Sequence, residues 1–228
     1  MSDDAALLAR ITALEAEVAR LDAARQLHNL MGRYTVNFSP KNMHRALDFY
    51  ALERADVSVE IADRGVYVGA EALRKLFGAQ FAMSLNGNLL VHYLATPMIE
   101  VSGDGQSAKG VWRSPGIEAV APPSGGKPTA LWSFGTYAVD FIRLRGEWKI
   151  LHLHWFRIVK CSYAAGWVDD LSMTYTGKLP DSPEVRPSTY HNPYTPDTIQ
   201  EPIPPCPQPY DVMTDADWMV QAVDPAGK

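Results

Sequence analysis

The chain has 228 residues, 46% hydrophobic and 21% charged, which suits one domain with appendages and excludes wholesale disorder. No run nears the roughly 18 apolar residues of a transmembrane helix. The net charge of −5 gives no electrostatic basis for binding nucleic acid or an anionic membrane. Two cysteines, Cys161 and Cys206, are too few for a disulfide framework or a structural zinc site. The acidic start MSDDAALLAR does not read as a signal peptide, so a soluble, cytoplasmic protein is expected.

Residues 3–31 read as one helix. Leu7, Ile11, Leu14, Val18 and Leu21 recur as a heptad seam, with β-branched Ile11 and Val18 at a and leucines at d, a composition that favours two parallel strands. Arg10 and Glu15 attract across such an interface, whereas Glu17 and Asp22 repel. The seam therefore points either to oligomerisation or to packing on its own domain. Residues 25–50 continue as helix, break, helix, the break falling at Asn37-Phe38-Ser39-Pro40. Ser39 is placed as N-cap and Pro40 as the first helical residue.

VSVEI (57–61) alternates like a strand and Asp63-Arg64-Gly65 like a turn. A short helix follows from Glu71 to Phe81, with Leu73, Leu76, Phe77 and Phe81 on or near one face. LLVHYLATPMIEV (89–101) and AKGVWRS (108–114) form a hairpin through Ser102-Gly103-Asp104-Gly105, and Pro122-Pro123-Ser124-Gly125-Gly126 is a loop. LWSFGTYAVDFIRL (131–144) turns at Arg145-Gly146-Glu147 and returns as WKILHLHWFRIV (148–159). Helices first and an antiparallel meander afterwards predict an α+β domain, with helices covering one face of a curved sheet. After residue 178 the composition shifts: 11 of the 17 prolines lie between Pro180 and Pro225. Tyr190, Tyr194, Tyr210 and Trp218 need a surface to lie on, so this tail reads as a strap across the domain or a neighbouring subunit. A short helix is placed at Thr214 to Val223.

Histidines are the natural acid–base candidates. His28, His44 and His191 read as surface or packing residues, while His92, His152 and His154 fall within strands. Period-two alternation puts Trp148, Ile150, His152, His154 and Phe156 on one face, where the histidines would wall an amphipathic pocket. A metal pair at His152 and His154 lacks a nearby carboxylate before Asp169, so no metal is expected. Phosphate loops, dinucleotide fingerprints and a Gly-x-Ser-x-Gly elbow are absent. Cys161 reads as packing or as a nucleophile. No cofactor is expected; what remains is acid–base chemistry by His, Tyr and Arg.

Two helices followed by VSVEIADRGVYVGAEALRKLF, VHYLATPMIEVSGDGQSAKGVW and YAVDFIRLRGEWKILHLH resemble the NTF2-like superfamily over roughly residues 22–160, most closely its SnoaL-like and scytalone-dehydratase-like branch. The resemblance implies a cone in which a strongly curved antiparallel or mixed sheet wraps the N-terminal helices. It divides the chain into a helical extension (1–21), a catalytic domain (22–177) and a proline-rich strap (178–228). It also implies cofactor-free lyase, dehydratase, isomerase or cyclase chemistry on hydrophobic cyclic or aromatic substrates. The recurring histidine of that branch matches His92, as base, and its first-helix tyrosine matches Tyr34, as polarising hydroxyl. His154 or His152 would be the second acid–base group.

Two departures stand out. Phe38-Ser39-Pro40 replaces an aspartate at the end of the first helix, and Ser114-Pro115-Gly116 replaces a second catalytic histidine. Loss of that anionic partner turns the expectation toward another elimination, that of the lignin-derived diarylpropane lyases, which expel formaldehyde and leave a stilbene. Phe38, Trp112, Trp132, Phe134, Tyr137 and Phe156 are candidate walls for a diaryl substrate, and Arg113 or Arg157 a candidate partner for its phenolate. The resemblance favours a homo-oligomer, a trimer over a dimer. Alternatives are a dehydratase or isomerase of a hydroxylated polycyclic or aromatic ketone, and a ligand-binding module without catalysis.

Overall fold

The computed structural model describes residues 3–80, 86–122, 124–175, 179, 183–214 and 218–221. Phe81, Pro123, the boundary drawn at 177/178, and half of the helix placed at Thr214 to Val223 lie outside the described residues; of that helix, Trp218–Val220 is a 3-10 turn. At its start, one helix, α1 (Asp3–Asn37), runs through the whole heptad region and beyond. Its first half stands clear of the rest of the chain, with Leu7, Ile11, Leu14, Val18 and Leu21 all exposed. Only from Ala23 does α1 bury a face, through Leu27, Leu30, Met31 and Tyr34. The spacing of four, three, one and three keeps those side chains on one stripe.

The break after α1 is a turn closed by the Asn42 amide donating to the Ser39 carbonyl at 3.0 Å. Ser39 and Pro40 thus occupy the first two turn positions, which those residues favour. Helix resumes only at a 3-10 segment, Met43–Phe49, so the placement of Ser39 as N-cap and Pro40 as first helical residue is corrected. Two short strands follow, β1 (Ser58–Ile61) and β2 (Val66–Val68), then α2 (Gly69–Lys75), which widens into a π turn, Leu76–Gln80. Leu73, Leu76 and Phe77 are buried beneath it.

The segment 89–101 is two strands, β3 (Leu89–His92) and β4 (Ala95–Val101). The returning chain is likewise two, β5 (Ser107–Ser114) and β6 (Gly116–Val120). Both halves bend at one level, where the Tyr93 amide donates to the Pro115 carbonyl at 2.9 Å. Pro115 has no amide to continue the ladder. β7 (Thr129–Leu144) and β8 (Glu147–Ser162) are the two long strands, joined through Arg145 and Gly146 at φ +51° and +85°, a turn whose twist matches the strands. A short α3 (Gly166–Asp169) and a late strand β9 (Val185–Arg186) follow.

Among the described residues the strands form one mixed sheet in the order β3-β6-β7-β8-β1-β2-β9, with β4 joined through β5 to β7. Strands β3 to β8 pair antiparallel as the expected meander, and β1 joins β8 in parallel, which makes the sheet mixed. One sheet face packs on α1, the 3-10 segment and α2. The opposite face carries the C-terminal residues, with Val111, Ala138 and Phe156 packed against Trp218 and Met219. Among the described residues no helix is long and apolar enough to cross a membrane.

Candidate active site

Strand pairing decides which side chains meet. β3 lies on β6 with His92 opposite Gly116, two residues before Glu118. This brings His92 Nε2 to 3.4 Å from Glu118 Oε1. Lys160 donates to the other carboxylate oxygen at 2.6 Å, and His92 Nδ1 lies 3.3 Å from Ser114 Oγ. Burial alone would favour the carboxylic acid of Glu118, but the His92 bond and the Lys160 ammonium outweigh it and hold the group well below the usual carboxylate range. Burial draws Lys160 below its ordinary value, opposed by Glu118. Gly116 makes the close approach possible: a Cβ there would stand 2.8 Å from His92 Nδ1 and 2.7 Å from the Ser133 carbonyl oxygen.

Aromatic rings enclose this polar file. His92 meets Trp155 edge-on at 5.3 Å between ring centroids and Phe38 at 6.1 Å. Phe38 in turn packs on Tyr34 at 5.9 Å. Tyr34 sits among Phe49, Tyr50 and Tyr137, and the Tyr50 hydroxyl donates to that of Tyr34 at 3.3 Å. Burial, then the neighbouring Tyr50, pushes the Tyr34 phenol well above its ordinary value; burial does the same for Tyr137. These hydroxyls stay protonated at neutral pH and remain hydrogen-bond donors. Trp155 Nε1 and Ser133 Oγ are buried without hydrogen-bond partners, so two polar atoms on this face are unsatisfied by protein.

Of the residues singled out in the sequence, the structure therefore brings together His92, Tyr34, Phe38 and Tyr137. Trp112 shares their side of the sheet but packs on His28 and Phe141, six residues earlier on α1 than Tyr34. Arg157 stands against Trp155, its guanidinium 5.5 Å from that ring's centroid; the others lie on the opposite face. A register shift in β8, where Ile150 pairs with Phe141 but His152 with Asp140, breaks the period of two at Leu151. The expectation that Trp148 and Ile150 share a face with His152, His154 and Phe156 is corrected accordingly. Trp148 and Ile150 belong to the helix-facing core together with Leu151, Leu153 and Trp155.

His154 lies under the C-terminal residues, stacked on Phe156 at 3.5 Å and 3.3 Å from Glu60. Burial drives it well below the ordinary histidine value. His152 Nδ1 stands 3.0 Å from Asp140, which also accepts the Trp218 indole N–H at 2.7 Å. Trp132 stacks on Phe134, and Phe134 meets Trp167. Arg113 bonds the Thr136 hydroxyl. Cys161 is fully buried and its thiol is pushed up by burial, which is packing behaviour.

Glu118, Lys160, Ser114 and Tyr50 were not read from the sequence as site residues. The only local sign of Glu118 is an acidic residue in an alternating stretch, Gly116-Ile117-Glu118-Ala119-Val120. Nothing local marks Lys160, which reaches Glu118 only because β6 and β8 flank β7. Among the described residues no three of His, Cys, Asp and Glu converge as metal ligands.

Comparison with known proteins fits this architecture. No curated protein sequence matches the chain. A hexachlorocyclohexane dehydrochlorinase, LinA type 2, superposes with a TM-score of 0.54 at 15% identity, covering 66% of this chain and 95% of its own. A candidate scytalone dehydratase from Novosphingobium aromaticivorans gives 0.53 at 13% identity, with 68% and 97% covered. LinA-type3 from Novosphingobium barchaimii gives 0.52 at 16%, with 66% and 97% covered. At these identities the likeness establishes the fold. Residues 17–154 match the sequence profile of the SnoaL-like domain, and with that span covering more than half its length, the chain belongs to the SnoaL-like family of NTF2-like proteins.

Proposed function

We propose that this protein is a cofactor-independent lyase that uses acid–base chemistry on a hydrophobic aromatic substrate, with His92 as the base. The observation carrying the reading is the His92–Glu118 pair set among Phe38, Tyr34 and Trp155. A carboxylate on Nε2 favours the tautomer with hydrogen there and makes Nδ1, which faces the Ser114 hydroxyl, the basic nitrogen, so a proton would reach it in exchange for that contact. It also stabilises the imidazolium formed when the proton arrives. Tyr34 and Tyr137, held protonated, donate toward an oxygen on which charge develops. Dehydrochlorinase and scytalone dehydratase among the structural neighbours support an elimination on this scaffold, here in a cone-shaped sheet around α1 and, by further proposal, in a homo-oligomer.

The proposed reaction is loss of formaldehyde from a lignin-derived 1,2-diarylpropane-1,3-diol. The benzylic C–O bond breaks as the leaving hydroxyl takes a proton and departs as water, while the para phenol gives up its proton and a quinone methide forms. His92 then removes the proton of the terminal hydroxyl. The adjacent carbon–carbon bond breaks, formaldehyde leaves, and the electron pair restores the ring as the phenolate of a stilbene. In this reading Tyr34 or Tyr137 hydrogen-bonds the first leaving hydroxyl, and His152 and His154, on the other face, take no part.

Simple dehydration is the second reading. Glu118 favours it, since it gives His92 the anionic partner that Phe38-Ser39-Pro40 lacks. Purified protein incubated with a phenolic diarylpropane-1,3-diol and with hydroxylated aromatic ketones separates the two by product mass. A stilbene chromophore with stoichiometric formaldehyde is the expected result. Loss of water alone assigns the dehydratase, and no turnover of either class overturns the lyase reading.

A further inference from the structure

A cavity lies on the opposite face of the sheet, away from His92. It has a volume of about 300 Å³ and sits between β7, β8 and C-terminal residues 190–203. Arg113, Phe134, Phe156, Trp167, Tyr190 and His191 are among its walls. Phe134 meets Trp167 edge-on at 6.2 Å, and Phe156 meets Tyr190 at 6.0 Å, so two aromatic pairs line one space.

Its polar groups are unbalanced toward donors. Arg113 bonds only the Thr136 hydroxyl, at 3.1 Å, and has no acidic partner among the described residues. Arg157, with its side chain 3% exposed, uses Nη1 on Asp63 and the Thr174 carbonyl, while its Nε is buried without a partner. His191 Nε2 is buried and unpartnered as well. The single acidic wall residue, Glu201, is already engaged by the Tyr190 hydroxyl and Asn192. Buried polar atoms of a folded protein are ordinarily satisfied, so the unmet Arg157 Nε and His191 Nε2, beside the exposed guanidinium of Arg113, describe the complement of a ring that carries an anion. The volume is at the lower end for ligand pockets and accommodates one ring with a short substituent.

We propose that this cleft is a binding site for a small single-ring aromatic carboxylate, separate from the reactive site, with Arg113 taking the carboxylate and the Phe134–Trp167 and Phe156–Tyr190 pairs taking the ring. A guanidinium offers two parallel N–H donors to a carboxylate, a geometry a neutral ester cannot use fully.

The test is calorimetric titration of the full chain with 4-hydroxybenzoate, and with its methyl ester as the uncharged control. One-to-one binding is expected. The ester and the Arg113→Gln variant should each bind at least about tenfold more weakly, the loss of one charge-assisted pair. Trp167→Ala should also weaken binding, and His92→Ala should leave the affinity within about twofold. Arg113 is exposed, so its variant is expected to fold, which near-ultraviolet circular dichroism checks. Equal affinity for Arg113→Gln and wild type, loss on His92→Ala instead, or no saturable heat at millimolar ligand would each overturn the proposal. The diol assay above does not depend on the outcome, so the two readings fail separately.

Discussion

At the scale of single residues, the His92 ring is held by Glu118 and Ser114, and its proposed role as base is testable. His92→Ala should lower turnover by about two to four orders of magnitude, the span of general acid–base groups, with an unchanged far-ultraviolet spectrum. A near-normal rate would remove His92 from the chemistry. Glu118→Gln has two separable consequences. It removes the anion that stabilises the imidazolium, so turnover should fall while KM changes little. It also leaves Lys160 buried opposite a neutral amide, costing about 3 kcal/mol of stability, to be read in a denaturant titration. A variant with the stability loss but full turnover would reduce Glu118 to a structural partner of Lys160.

Among the elements, the first half of α1 is the one without a local reason to persist. Two heptads in isolation are marginal helices, yet they present Leu7, Ile11, Leu14, Val18 and Leu21 to solvent. We propose that a second copy of the chain covers this seam, as the heptad register and the Arg10–Glu15 complement allow. Leu14→Glu combined with Val18→Glu should then lower the oligomeric mass by light scattering and leave the melting of the sheet domain unchanged. An unaltered mass would place assembly elsewhere. β8 shows the complementary case, in which one register shift at Leu151 sends Trp148 and Ile150 to one face and His152, His154 and Phe156 to the other.

For the molecule as a whole, the C-terminal residues are held on the sheet face opposite the site. The Glu60 carboxylate accepts the Thr189 amide and hydroxyl, each at 2.7 Å. Asp140 holds Trp218 and His152 together. Truncation after residue 178 would strip these contacts and expose Phe156 and Val111, lowering the melting temperature by roughly 5–10 °C; an unchanged melting curve would make the segment an appendage. The Asp140 anchor is also pH-sensitive. Burial opposes a charge on His152, but the bond and charge of Asp140, with Asp56 adding, outweigh it and raise its titration above the ordinary value. The stability this pair supplies is complete below about pH 6.5, the unfolded histidine value, and fades as pH rises through the raised folded value. With His152 about one-third exposed, the melting gap between wild type and His152→Gln should be about 1–2 °C at low pH and close as pH rises. A gap independent of pH would show that the pair contributes nothing.

Local pattern was sufficient wherever the physics is local. Periodicity placed α1, β1, β7 and β8, glycine and turn residues placed Arg145-Gly146, and the motif order pointed to the SnoaL-like family. The proline-rich, aromatic composition after residue 178 marked a segment that needed a surface to lie on. What only tertiary structure decided depends on residues far apart in the chain. The parallel seam of β1 on β8, the bend shared by Tyr93 and Pro115, and the shift at Leu151 all arise from pairing across the sheet, which alternation along one strand cannot encode. For that reason the aromatic residues named together divide between two faces, Phe38 and Tyr137 with His92, Phe134 and Phe156 with Arg113. For the same reason the carboxylate beside His92 comes from β6, where sequence separation hid it, and not from the end of α1, where the family pattern would put it.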